Sequence, residues 1–114
     1  MPGMPSLTIG RITVPYPIIQ GGMAIKISTA KLAAAVATEG GIGIIAGTAM
    51  SSAELREEIA SARKMIKGPG ALGVNILFAV SDFAELVKTA MSAGIDLFTS
   101  GAGVSRDMYT WGRQ

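Results

Sequence analysis

The 114-residue sequence contains neither cysteine nor histidine. Without cysteine there is no disulfide, no thiolate nucleophile and no cysteine-ligated zinc. Without histidine, Ser-His-Asp catalysis, imidazole metal sites and the commonest general base are excluded as well. An excess of charge is also missing, since ten Lys and Arg against eight Asp and Glu leave a net +2. The cations are scattered from Arg11 to Arg113, and no basic stripe alternates with stacking rings, so nucleic acid is not an expected partner. Chemistry must come from carboxylates, lysine, tyrosine, backbone groups or a cofactor, or from residues this chain lacks.

Long uninterrupted apolar runs are absent too. The longest weakly charged stretch, Leu32 to Met50, is broken by Glu39-Gly40-Gly41 and reads as a buried helix followed by a buried strand, not a membrane span. The start, Met1-Pro2-Gly3-Met4-Pro5, has no basic region leading into an apolar one, so no secretory signal is expected and a cytoplasmic location is the default. What is present is core-forming material: 49% hydrophobic and 16% charged residues describe a folded chain and not a disordered one.

Leu7-Thr8-Ile9 and Ile12-Thr13-Val14, joined by Gly10-Arg11, read as a hairpin with a type II′ turn. A repeating pattern follows. Pro17 to Gln20 is a short strand ending at Gly21-Gly22, and Ser28 is expected to cap a helix through Glu39 that Gly40-Gly41 stops. Ile42 to Ala46 is the second strand. Ser51-Ser52-Ala53-Glu54 has the capping-box pattern and opens a helix carrying Leu55, Ile59, Ala62 and Ile66, with Gly68-Pro69-Gly70 as its terminator. Leu72 to Leu77 is the third strand, Asp82 begins a third helix that Gly94 stops, and Ile95 to Thr99 is the fourth strand. The tail after Ser105 is a candidate fourth helix weakened by Gly112. Near-continuous apolar strands alternating with amphipathic helices imply a parallel sheet covered by helices. An open Rossmann-type sheet and a barrel both fit. A whole barrel takes about 250 residues, so on the barrel reading this chain is half of one.

Glycines recur at the strand exits: Gly21-Gly22, Gly47 and Gly101-Ala102-Gly103. They serve either as turn residues or as side-chain-free backbone where parallel sheets bind ligands. Two dinucleotide-like sequences fail in context. Gly41-Ile42-Gly43-Ile44-Ile45-Ala46 opens a strand and not a helix, and after Gly101-Ala102-Gly103 the third glycine position holds Arg106. Asn75 interrupts an apolar strand, where a buried amide needs partners. It either bonds a neighbouring loop or faces a pocket, where donor and acceptor together suit the edge of a heteroaromatic ring. Gln20 and Lys26 are weaker candidates: Gln20 for backbone pairing at a strand end, Lys26 as a solvated loop charge.

Four segments, Pro17-Ile18-Ile19-Gln20-Gly21-Gly22-Met23, Gly40-Gly41-Ile42-Gly43-Ile44-Ile45, Gly73-Val74-Asn75-Ile76 and Ser100-Gly101-Ala102-Gly103, stand in one family's order and spacing. Across residues 7 to 103 the chain resembles the nitronate monooxygenases, with the flavin-dependent enoyl-acyl-carrier-protein reductases as near relatives. The resemblance implies an α/β fold: the first half of a TIM-type (β/α)8 barrel preceded by an N-terminal β-hairpin, one incomplete domain over residues 1–114. It implies FMN at the strand ends, with backbone at Gly22, Met23 and Ala24 against the ring, Asn75 bonding it, and Gly101 and Gly103 leaving room on the pocket floor. FMN would carry the redox chemistry toward a small-molecule substrate, and the expected catalytic histidine lies beyond residue 114. The implied activity is oxidation of alkyl nitronates with oxygen. The alternatives are NAD(P)H-dependent enoyl-acyl-carrier-protein reduction and, from another class, a non-catalytic half-barrel. Two open strand edges lead to a further expectation, self-association of the isolated chain with little FMN retained.

Overall fold

The computed structural model describes residues 3–23, 27–79, 81–103 and 106–113, the side chains of Tyr109 and Arg113 excepted. The chain opens with the expected hairpin, strands β1 (Leu7–Ile9) and β2 (Ile12–Val14), paired antiparallel with Ile9 opposite Ile12. Gly10 has φ +57°, as the first corner of a type II′ turn requires. Then come β3 (Ile19–Gln20), α1 (Ala30–Thr38), β4 (Ile42–Ala46), α2 (Ser52–Met65), β5 (Ala71–Leu77), α3 (Phe83–Ser92), β6 (Leu97–Gly101) and α4 (Asp107–Arg113). Strands β3-β4-β5-β6 form one parallel sheet in chain order. This is the strand order of a (β/α)8 barrel with four of its strands in place.

Alternation along the strands separates two faces. Leu72, Val74 and Ile76 of β5, with Ile45 of β4, pack into a large core with Ala33 of α1, Leu55 and Ile59 of α2, and Leu86 and Val87 of α3. At Gly43 an added Cβ would overlap the Ala33 carbonyl, so the absence of a side chain sets how closely α1 approaches. The opposite face carries Ile42, Ile44 and Ala71. Val14 is buried against these three, with Leu7, Ile12 and Leu97 around them. Ile42 and Ala71 begin their strands, so the hairpin seals the N-terminal end of the sheet and leaves the C-terminal end for other uses.

The helix caps depart in part from expectation. Ser51 caps α2 as its sequence suggests, accepting from the Glu54 amide at 3.1 Å. Ser28 does not cap α1. The N-cap position is Thr29, whose side chain makes no capping bond, and the Ala30 amide is instead taken by Glu58 of α2 at 2.7 Å. Helix α2 ends at Met65, before the glycines named for it, and Ile66 has already turned extended. Strand β3 is shorter than Pro17–Gln20, because Pro17 has no N–H to pair and Gln20 is the last residue in register. Strand β6 sits two residues later than Ile95–Thr99. The Asp96 carboxylate accepts from Leu72 N while its own amide donates to Leu72 O, which anchors the approach to the strand. Among the described residues no helix is long and apolar enough to cross a membrane.

Candidate functional site

The polar residues of the inner sheet face gather at its C-terminal end. Register places Ala46, Asn75 and Thr99 side by side on β4, β5 and β6. Thr99 Oγ1 donates to Asn75 Oδ1 at 2.8 Å, which leaves Asn75 Nδ2 without a partner among the described residues. Glycine flanks this amide on both sides. A Cβ on Gly22 would stand 2.8 Å from Asn75 Cβ and 3.1 Å from Ile44 Cγ2. A Cβ on Gly101 would meet Leu77 Cδ2 at 2.8 Å and both Asn75 amide atoms at 3.9 Å. At Gly22 a side chain would intrude on the asparagine, whereas at Gly101 it would press on Leu77 and only touch the amide. Gly103, at φ +137°, would push a Cβ into the Phe78 ring. Met23, Leu77 and Phe78 stand partly exposed at the rim, Met23 at 49%.

The Gly21–Met23 segment leaves the sheet at Gln20. That side chain spans to β4: Ile44 N donates to Gln20 Oε1 and Gln20 Nε2 to Ile44 O, each at 3.1 Å. Ser28, fully buried, donates its hydroxyl to Gly21 O at 3.0 Å and accepts from Met23 N at 2.9 Å. The expected backbone pairing of Gln20 is thus present, in a side-chain form. Beside the other strand exits, Ala49 and Ala102 hold φ of 70° and 55°, strained values for residues with a side chain.

Of the residues singled out from sequence, Gly22, Asn75 and Gly101 meet at one point, with Met23 and Gly103 at the rim. Ala24 and Lys26 lie outside the described residues. Gly47 belongs to the helix-facing side instead, where its Cβ would meet Ile76, Val74 and Leu55, so it serves packing and the turn. Thr99 and Ser28 went unrecognised as parts of this cluster. Thr99 is found only through strand register, and the signal at Ser28, a serine just before a helical run, is equally that of a cap. Among the described residues no three acidic side chains gather to hold a metal ion.

Two cavities among the described residues lie elsewhere. One of about 660 Å³ is lined by Met91, Phe98 and Trp111 beyond β6, and one of about 430 Å³ by Tyr16, Ile18 and Val36 beyond β3. They mark the two outer edges of the sheet, where it has no neighbouring strand among the described residues; Lys88, Ser92 and Asp96 also line the first.

A family model described as nitronate monooxygenase matches residues 6–97. Among solved structures, FabK from Thermotoga maritima matches with a TM-score of 0.75 and 36% identity, over 87% of this chain and 32% of that one. A single-substitution variant of that protein gives a TM-score of 0.76 and 36% identity, over 87% of this chain and 34% of that one. The chain spans about a third of the length of these structures. No curated protein matches it.

Proposed function

We propose that this chain, which belongs to the nitronate monooxygenase family, forms one wall of the FMN site of a flavin-dependent oxidoreductase. The observation that carries the reading is the Asn75 amide bounded on two sides by Gly22 and Gly101. A flat heteroaromatic ring needs such a surface: main chain to lie against and an amide to meet its polar edge. The donor set fits. Asn75 Nδ2 and the Gly22 N–H are both without partners among the described residues, while Thr99 fixes the amide's orientation by occupying Oδ1.

Bound FMN supplies the electron transfer that no side chain of this composition can perform. The chain's own contribution is to bind and orient. Gly22 and Met23 offer backbone to the ring, Asn75 sets its register, and Gly101 and Gly103 keep the floor clear. Met23, Leu77 and Phe78 make the rim apolar, which suits a substrate with an alkyl portion.

Within the family we favour oxidation of alkyl nitronates with oxygen. The FabK likeness supports a second reading, NAD(P)H-dependent reduction of an enoyl thioester. The two are separated with the protein as its gene encodes it. Oxygen uptake on adding an alkyl nitronate, without NAD(P)H consumption, is the expected result. NAD(P)H oxidation that depends on an enoyl thioester would move the assignment to the second.

A further inference from the structure

We propose that Gln20 and Ser28 are positioning residues that detach Gly21–Met23 from the sheet and hold its backbone toward the flavin ring. The inference rests on the flavin reading above. A parallel ladder continuing past Gln20 would use the Gln20 carbonyl and the Gly22 N–H to satisfy Ile44. Here the register ends at Gln20 opposite Gly43; the Gln20 side-chain oxygen also accepts from Ile44 N, and its Nε2 takes the Ile44 carbonyl in place of Gly22 N–H, at 3.1 Å each. One step further along β4, Ala46 N donates to Ser28 O at 2.8 Å. The exposed edge of β4 is thereby satisfied without main chain from Gly21, Gly22 or Met23.

The freed segment is then held from behind. Ser28 Oγ donates to Gly21 O and accepts from Met23 N, while Ser28 N donates to Met23 O at 2.9 Å. Gln20 Nε2 reaches the same hydroxyl at 3.1 Å, which ties the two side chains into one clasp. Gly22 sits between two pinned neighbours and has no acceptor for its N–H among the described residues. Gly22 is half-exposed, so an N–H that no neighbour takes is free to meet a ligand's acceptor, and the Gln20 side chain that takes the ladder's next carbonyl keeps it so. Without the Gln20 amide, the Ile44 carbonyl regains a protein partner only if Gly22 rejoins the ladder. That movement would withdraw the donor from the site.

The test uses the protein as its gene encodes it, freed of cofactor and then titrated with FMN. Amide hydrogen exchange should show Met23 protected throughout, and Gly22 unprotected until FMN is added. Gln20→Met, close in length and volume but without the amide, should protect the Gly22 amide in the absence of flavin. It should also weaken FMN binding at least tenfold. Ser28→Ala should expose the Met23 amide, weaken FMN binding comparably, and change the visible absorption spectrum of the flavin that remains bound. Flavin binding within twofold of the unsubstituted protein in both variants, with an unchanged spectrum, would overturn the proposal and leave the flavin reading intact. Failure of the unsubstituted protein to bind FMN would sink both. If neither variant folds, the unsubstituted protein still decides, because a Gly22 amide whose exchange is indifferent to FMN rules the role out.

Discussion

At the scale of single residues, Asn75 has two separable duties. Its oxygen accepts from Thr99, and its nitrogen is the proposed donor to the ring. Asn75→Asp keeps an acceptor for Thr99 and removes the donor. A lost hydrogen bond of about 1–1.5 kcal/mol corresponds to roughly a tenfold rise in the FMN dissociation constant, measurable by quenching of flavin fluorescence. Unchanged affinity would mean that the ring takes nothing from this amide. Gly22→Ala acts by volume. Its Cβ would press on Asn75 Cβ at 2.8 Å and Ile44 Cγ2 at 3.1 Å, and overpacking of this kind costs about 1–3 kcal/mol. A lowered thermal midpoint together with weakened flavin binding is expected. An alanine variant as stable as the native chain would show that the Gly22 backbone moves aside freely.

At the scale of elements, Ser51 and Glu58 do similar work by different routes. Ser51 caps its own helix, and Ser51→Ala should cost about 1 kcal/mol in denaturant unfolding. Glu58 caps α1 from a neighbouring helix, accepting from Ala30 N at 2.7 Å. Because Thr29 makes no capping bond of its own, Glu58→Ala should also cost about 1 kcal/mol, with faster amide exchange in the first turn of α1. The same contrast explains what could be read from sequence. The Ser51 cap was legible because donor and acceptor lie within one turn, whereas nothing local to Ala30 points to Glu58. Strand and helix order and the hairpin followed from periodicity and glycine placement, whereas the near-continuous apolar run of β5 did not reveal its two faces. Asn75 was conspicuous as a polar residue among apolar ones. Thr99 was not, since a threonine in a strand is ordinary until register sets it beside Asn75. Ser28 suggests a cap from sequence because both roles place a serine ahead of an alanine-rich helix. Only the path of Gly21–Met23 in space distinguishes them.

At the scale of the whole molecule, the sheet has helices on one face and, on the other, a hairpin that reaches only the N-terminal end. Layered domains bury both faces of a parallel sheet. Here β3 and β6 are outer strands among the described residues, and Ile18 and Ile19 beside the first edge are 42% and 51% exposed. Two cavities lie at these edges, with Met91, Phe98 and Trp111 on one and Ile18 and Val36 on the other among their lining residues. Unpaired strand backbone beside exposed isoleucine is a surface that seeks a partner. The 114-residue chain expressed alone should therefore associate, with a light-scattering mass above the 11.7 kDa of a single copy that falls on dilution. Ile18→Lys adds a charge at the β3 edge and should shift the distribution toward the monomer. The protein as its gene encodes it provides the comparison. If further strands cover these edges, as the eight-stranded architecture requires, its mass should be independent of concentration and indifferent to Ile18→Lys. A strictly monomeric 114-residue chain at high concentration would show instead that the exposed edges are tolerated, and that the half-barrel is a stable unit in its own right.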